Sequence, residues 1–281
     1  PSAASGSGGL FDYLPNGQYF TIPASGSVSE LSSSNSILTG FQKIRCFYGI
    51  KSGGGEMGIT VTQNGVALTR KTAATGTGTV GSIGYIEIAS GDGLTTYGRP
   101  TIVTDAVSSE VHYLGAIVYL RSGFIMLKMG RGGTASTDMA TVADANLTYM
   151  QDTLGISLMV HGQKGETNNE IDAWFTRIAS SMPKTSHLVL GNSPSNDEAN
   201  DIIAREQMRL RALENQFVFF DAGEFLRDYA QMTALGWSGD TVHLTVEPRQ
   251  LQAGWLVNRI CNIPMSATAL SRSVLNSVTQ R

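Results

Sequence analysis

The chain has 281 residues, of which only 15% are charged and 32 are glycine. This composition is typical of turn-rich β proteins, and the length suits two ordinary domains. A formal net charge of −3, without a stripe of basic residues, argues against a nucleic-acid partner. The longest apolar runs are shorter than the roughly 20 residues that cross a bilayer, so we expect no membrane span.

The first part of the chain has a β pattern. Residues 1–9 are small and polar, and we predict a linker over residues 1–17. Residues 18–122 contain β-branched and aromatic runs broken by Gly, Ser and Asn. Asn64 and Gly65 stand between two such runs, which predicts a tight hairpin. We therefore predict a β-sandwich module, jelly-roll-like, over residues 18–122. Such modules commonly bind sugars or partner proteins.

The pattern changes after Gly123, where short apolar runs alternate with helix-compatible segments. This alternation predicts an α/β domain over residues 123–281, with a parallel sheet flanked by helices. The expected strands are FIMLKM, SLMV, HLVLG and FVFFD, and the expected helices are Thr137–Leu154, Asn169–Met182 and Glu247–Cys261.

The segment GDTVHLT contains an Asp-x-x-His pair, Asp240 and His243. On one loop, an aspartate can fix the tautomer of a histidine whose other ring nitrogen serves a nucleophile as general base. The motif, close to the C-terminal helix, resembles the last motif of SGNH (GDSL-type) hydrolases. This resemblance implies serine esterase chemistry, with Asp240 and His243 as acid and base. The alternative for an isolated pair is a turn aspartate and a surface histidine.

Two glycine-containing loops extend the resemblance. MGRGGTASTDM, after the strand FIMLKM, is similar to the motif whose glycine N–H binds the oxyanion, which implies this role for Gly133 or Gly132. QKGETN is similar to the Gln-Gly-Glu motif of the sialate O-acetylesterase-like branch, which makes Gln163, Glu166 and Asn168 candidates for oxyanion or substrate binding. Lys164 interrupts that match, and Asn168 could instead cap the following helix. A plain strand-to-helix turn remains the alternative for the first loop.

Two further segments agree with the family in order and spacing. LVLGNSPSND (Leu188–Asp197) resembles the strand and loop that line the substrate cleft, and FVFFDAGEFL (Phe217–Leu226) supplies the next strand.

The family's nucleophile motif, G-D-S or G-Q-S, does not occur in the sequence. The nearest string, SGDG, has glycine at position 93. Three explanations are open. The first is that this string is a turn of the β module and the serine lies upstream of Pro1, which resembles the arrangement in bacteriophage tailspike esterases with an inserted β-sandwich. The second is that Gly93 replaces the serine in a domain that starts near Gly81, and the third is that a degenerate core only binds its ligand.

The resemblance implies a carbohydrate O-acetyl esterase that acts on bacterial surface polysaccharide as part of a phage tailspike or tail fibre. The partner of such an esterase would be an O-acetylated glycan, and its reaction would require no cofactor or metal. Its location would be extracellular or on the virion surface. A homotrimer is the analogy from tailspikes. The alternative function is a non-catalytic receptor-binding or adhesion protein, in which aromatic side chains such as Tyr19, Tyr48 or Tyr97 stack on sugar rings.

Overall fold

The computed structural model describes residues 13–14, 19–31, 41–98, 100–120, 136–162, 168–191, 193–221, 226, 228–240 and 244–261. The chain divides into two compact units, Pro1–Gly155 and Ile156–Arg281. Among the described helices, none is both long and apolar enough to span a membrane.

The first unit contains two antiparallel sheets. One has the strand order β1-β9-β3-β7, and the other has the order β2-β8-β4-β5, with β6 also paired to β4. The strands are β1 (Phe20–Ile22), β2 (Ser27–Leu31), β3 (Phe41–Gly49), β4 (Glu56–Gln63), β5 (Val66–Ala67), β6 (Lys71–Ala74), β7 (Ile83–Ala89), β8 (Pro100–Val107) and β9 (Val111–Leu120).

One apolar cluster takes buried side chains from both sheets. Ile44 and Ile88 come from the first sheet, and Ile59 and Ile102 come from the second. Alternating burial along the strands, as in β8, directs every second side chain to this cluster. The two sheets therefore share one core.

The predicted hairpin is confirmed. Asn64 and Gly65 both have positive φ angles, 54° and 79°, and connect β4 to its antiparallel partner β5. These angles suit a two-residue turn whose twist matches that of the strands.

Two helices after the β strands belong to the first unit: α1 (Ser136–Met139) and α2 (Asp144–Asp152). The Asn146 amide donates to the Gly81 carbonyl at 2.8 Å, and the Arg45 guanidinium donates to the Thr153 carbonyl at 3.1 Å. The single helix predicted over Thr137–Leu154 is thus two helices. The two compact units divide after Gly155, and the contacts of Asn146 and Thr153 join α2 and the residue that follows it to the β unit.

The second unit contains a parallel three-stranded sheet in the order β10-β11-β12. Its elements are β10 (Leu158–His161), α3 (Asn168–Ser181), β11 (Ser186–Leu190), α4 (Glu198–Glu214), β12 (Val218–Phe220), α5 (Tyr229–Ala234) and α6 (Val246–Cys261). The predicted strands SLMV, HLVLG and FVFFD correspond to these three strands, whereas FIMLKM lies outside the described residues.

Helices cover both faces of this parallel sheet. His161 packs against Trp174 of α3, and Phe220 packs against Trp255 of α6 at a ring separation of 4.0 Å. His161 is in register with Phe219, so the next residue, Phe220, points to the opposite face. The protein is therefore mixed α/β, with most of its described strands antiparallel and the parallel sheet confined to the second unit.

Candidate active site

Asp240 lies in the connection between α5 and α6. Ser238 and Leu244 form an isolated antiparallel bridge, and the Thr245 N–H donates to the Trp237 carbonyl at 2.8 Å. The Ser238 hydroxyl also donates to the carbonyl of Asp240. These contacts hold together the two described ends of residues 238–244, a segment that we call the Asp-x-x-His loop.

The base of this loop is anchored in a small apolar cluster. Leu244 is only 8% exposed and packs with Leu226 and Met232, while Trp237 lies partly buried beside them. The Arg249 guanidinium, from the first turn of α6, donates to the Leu244 carbonyl. Asp240 itself is exposed. The loop therefore presents Asp240 to solvent from a base held by packing and hydrogen bonds.

The other predicted site residues are described only in part. His243, Gly132, Gly133, Gln163 and Glu166 lie outside the described residues. Asn168 is the first residue of α3, and its side chain also lies outside the described part of the chain. The expected hydrogen bond between Asp240 and His243 therefore stays a prediction.

The carboxyl ends of β11 and β12 meet at one edge of the parallel sheet. The Gly191 N–H donates to the Phe220 carbonyl at 2.8 Å. A Cβ atom at position 191 would lie 3.2 Å from Oδ1 of Asp221, so this carboxylate lies directly against the glycine. Arg205 of α4 places its Nη1 3.6 Å from the same Oδ1. The sequence did not single out Asp221 and Arg205 as site residues, although an aspartate directly after an apolar strand is a signal for this edge of the sheet.

The loop after β11 is held by a buried carboxylate. Asp201, in the first turn of α4, accepts hydrogen bonds from both the N–H and the hydroxyl of Ser195 at 2.6 Å. Ser195 and Asp201 are 4% and 7% exposed. This contact fixes the segment that the sequence resemblance assigned to the substrate cleft.

His161, the last residue of β10, forms a buried pair with His187 of β11. His161 Nε2 is 3.2 Å from His187 Nδ1, and the Trp174 indole N–H donates to His161 Nδ1 at 3.4 Å. Because that indole can only donate, His161 carries its proton on Nε2 and donates it to His187. His187 then carries its own proton on Nε2, 3.4 Å from the Met182 carbonyl.

Burial holds both of these histidines neutral. Loss of hydration, with a smaller contribution from His187, lowers the pKa of His161 to about 3. Burial also lowers the pKa of His187, against the opposing effect of the Met182 carbonyl. The pair is therefore a network of neutral rings with fixed tautomers.

Gly93 lies in the first unit, after β7. Residues Ser90–Asp92 form a 3-10 turn, and Gly93 follows it with a φ angle of 90°. Asp92 accepts from the Ala89 N–H at 2.8 Å and pairs with Lys71 at 2.7 Å. A serine would be strained at this φ angle. The string SGDG is thus a turn after an antiparallel strand, as the first of the three explanations expects.

These elements define a class of fold: a mixed α/β protein with a β unit of two antiparallel sheets and a second unit around a parallel sheet. A solved peptidoglycan O-acetylesterase is similar over 92% of this chain and 75% of its own, with a TM-score of 0.63 and 15% identity. This likeness shows the fold. No family model and no curated protein matches the sequence.

Two other solved structures overlap over much of the chain. A GDSL-like lipase from Bacteroides ovatus covers 87% of this chain and 87% of its own, at 12% identity and a TM-score of 0.32. An active-site mutant of a family two carbohydrate esterase from Clostridium thermocellum covers 87% of this chain and 94% of its own, at 12% identity and a TM-score of 0.30. TM-scores this low do not establish a common fold.

Proposed function

We propose that the chain is an SGNH-type carbohydrate O-acetyl esterase that acts on bacterial surface polysaccharide. The observation that carries this proposal is the Asp-x-x-His loop, whose base is pinned by the Ser238–Leu244 bridge and by Leu244 in the apolar cluster. The fold likeness to a peptidoglycan O-acetylesterase supports it by analogy.

In the proposed mechanism, a serine hydroxyl attacks the acetyl carbonyl carbon while His243 takes its proton. Asp240 holds the imidazole in the required tautomer and stabilises the imidazolium. The tetrahedral intermediate expels the sugar oxygen, which receives the proton from His243. Water then cleaves the acetyl-enzyme by the same route and releases acetate.

Backbone and amide donors would stabilise the oxyanion. We assign this role to the N–H of Gly133 or Gly132 and to a donor near Gln163, with Glu166 and Asn168 in the same loop as substrate-binding candidates. Their support is the sequence resemblance. The mechanism requires no metal ion.

The wider setting is part of the same proposal. The shared core of its two sheets supports a sandwich-type module for the β unit. We further propose a tailspike or tail-fibre setting, an extracellular or virion-surface location, and a homotrimer. Their support is the analogy with tailspike esterases.

The test is acetate release from p-nitrophenyl acetate and from O-acetylated polysaccharide, together with labelling by a fluorophosphonate that reacts with activated serines. We expect acetate release and labelling from a polypeptide that includes the preceding residues of the natural reading frame. Labelling of the chain alone would place the serine within the 281 residues. If neither the longer polypeptide nor the 281-residue chain releases acetate or is labelled, the esterase function is contradicted.

A non-catalytic glycan-binding protein is the second candidate. The side chain of Tyr97 belongs to a residue that is 66% exposed. The Tyr97 carbonyl accepts a hydrogen bond from the Gln63 side-chain amide at 2.8 Å, which holds the backbone that carries this exposed ring. An exposed tyrosine can stack on a sugar ring. Glycan binding that Tyr97→Ala abolishes, in a protein that releases no acetate, would favour this second function.

A further inference from the structure

The edge of the parallel sheet where β11 and β12 end offers a hydrogen-bonding group outside the predicted triad. Asp221 follows β12 directly, and its carboxylate lies against the backbone of Gly191. Because residue 191 is a glycine, no side chain from that position covers the carboxylate. In open α/β sheets, ligands bind outside the carboxyl ends of the strands. Asp221 therefore lies where such a sheet meets its ligand.

Arg205 orients this carboxylate from the side of α4. The distance from Arg205 Nη1 to Asp221 Oδ1 is 3.6 Å, and the two side chains are 16% and 33% exposed. The arginine is thus mostly buried, whereas a third of the aspartate side chain faces solvent. A carboxylate has two acceptor oxygens, so a carboxylate that pairs with an arginine can still accept hydrogen bonds from hydroxyl groups.

The same helix fixes the neighbouring loop. Asp201 stands four residues before Arg205, so both side chains leave the same face of α4. Asp201 holds Ser195 of the loop after β11, and Arg205 holds Asp221 after β12. One helix face therefore sets the positions of both strand ends.

We propose that Asp221 is a specificity residue that accepts hydrogen bonds from hydroxyl groups of the glycan, and that Arg205 is its positioning residue. This inference rests on the proposed esterase function. The ligand chemistry is that of a sugar ring with free hydroxyl groups beside the acetylated position. A substrate without such hydroxyl groups does not engage Asp221.

The experiment compares Asp221→Ala with the parent protein on O-acetylated peptidoglycan fragments and on p-nitrophenyl acetate, which has no sugar hydroxyl groups. We expect KM for the fragments to rise by about tenfold or more, as for loss of a hydrogen bond to a charged group, with kcat little changed. Activity on p-nitrophenyl acetate should remain at the parent level. Asp221→Glu should recover part of the loss.

Two variants of α4 provide the comparison. Arg205→Met should raise KM for the fragments in the same direction as Asp221→Ala. Arg209→Met is the matched control, because Arg209 lies one turn further along and pairs with Glu206 on the exposed surface. This control should leave both substrates unaffected.

Equal loss on both substrates, or an unchanged KM for the fragments, would overturn the specificity role. If Asp221→Ala does not fold by tryptophan fluorescence, Asp221→Asn replaces it under the same criteria. These measurements use as parent the polypeptide that includes the preceding residues of the natural reading frame. If this parent releases no acetate from either substrate, the esterase function fails, and calorimetry with the same fragments decides the inference. Binding weakened about tenfold by the substitution would support it; no binding, or equal binding, would overturn it.

Discussion

Acidification should destabilise the second unit through its buried histidine pair. His161 is 3% exposed and is surrounded by the rings of Trp174, Phe175, His187 and Phe217. None of these ring contacts is a carboxylate that could stabilise a protonated imidazole. Protonation of His161 at Nδ1 would also place the new N–H group against the indole N–H of Trp174.

The sign and size of the effect follow from the pKa of His161. In the folded protein it is lowered to about 3, whereas an unfolded chain has the ordinary value near 6.5. The neutral ring therefore contributes its full stability above about pH 6.5, and this is lost progressively as the pH falls toward 3. At pH 5 the loss from His161 alone is about 2 kcal/mol. The lowered pKa of His187 acts in the same direction.

The assay is urea unfolding followed by tryptophan fluorescence at pH 7.5 and pH 5. All three tryptophans, Trp174, Trp237 and Trp255, belong to the second unit, so their emission reports that unit alone. His161→Phe keeps an aromatic ring but removes the titrating group. It should lower the free energy of unfolding at pH 7.5, because Trp174 and His187 lose a partner, and it should reduce the pH dependence. An equal pH dependence in His161→Phe and the parent protein would refute this reasoning.

Two further substitutions test packing in each unit. Gly49→Ala should lower the free energy of unfolding of the first unit by about 1–3 kcal/mol, because the new Cβ would overlap the Tyr13 ring. Thermal melting by circular dichroism measures this effect, and Gly91→Ala is the control because a Cβ there meets open space. Equal melting temperatures for the two variants would contradict the prediction. Ser195→Ala should cost about 1 kcal/mol and speed amide exchange in residues 193–197, because Asp201 loses a hydroxyl donor. Unchanged exchange there would mean that this contact does not hold the loop.

Local signals in the sequence predicted several elements closely. Asn64-Gly65 predicted the β4–β5 turn because these residues tolerate positive φ angles. Helical spacing predicted Asn169–Met182, and α3 spans Asn168–Ser181. The apolar spacing did not predict α4. Its apolar residues Ile202 and Ile203 are exposed, so the apolar positions of this helix do not form a single buried face.

Tertiary contacts explain what the pattern could not predict. Tyr149 and Leu154, near and just beyond the end of α2, pack against the cluster around Phe47, which assigns this helix to the β unit. Neither residue carries a local signal for that choice. Similarly, Arg205 and Asp221 are sixteen positions apart in sequence and meet only because α4 packs beside β12. Motif spacing can propose residues within one segment, such as Asp240 and His243, but two residues that meet only through packing have no fixed spacing in the sequence.

The measurement that tests the esterase proposal most directly is acetate release by His243→Ala and Asp240→Asn variants of the polypeptide that labels with the fluorophosphonate. A triad acts as a unit, so His243→Ala should reduce acetate release by about 10³-fold or more, with unfolding by tryptophan fluorescence unchanged. Asp240→Asn should also be severe, because it removes the carboxylate that fixes the tautomer. Near-full esterase activity in a folded His243→Ala variant would contradict the proposed mechanism.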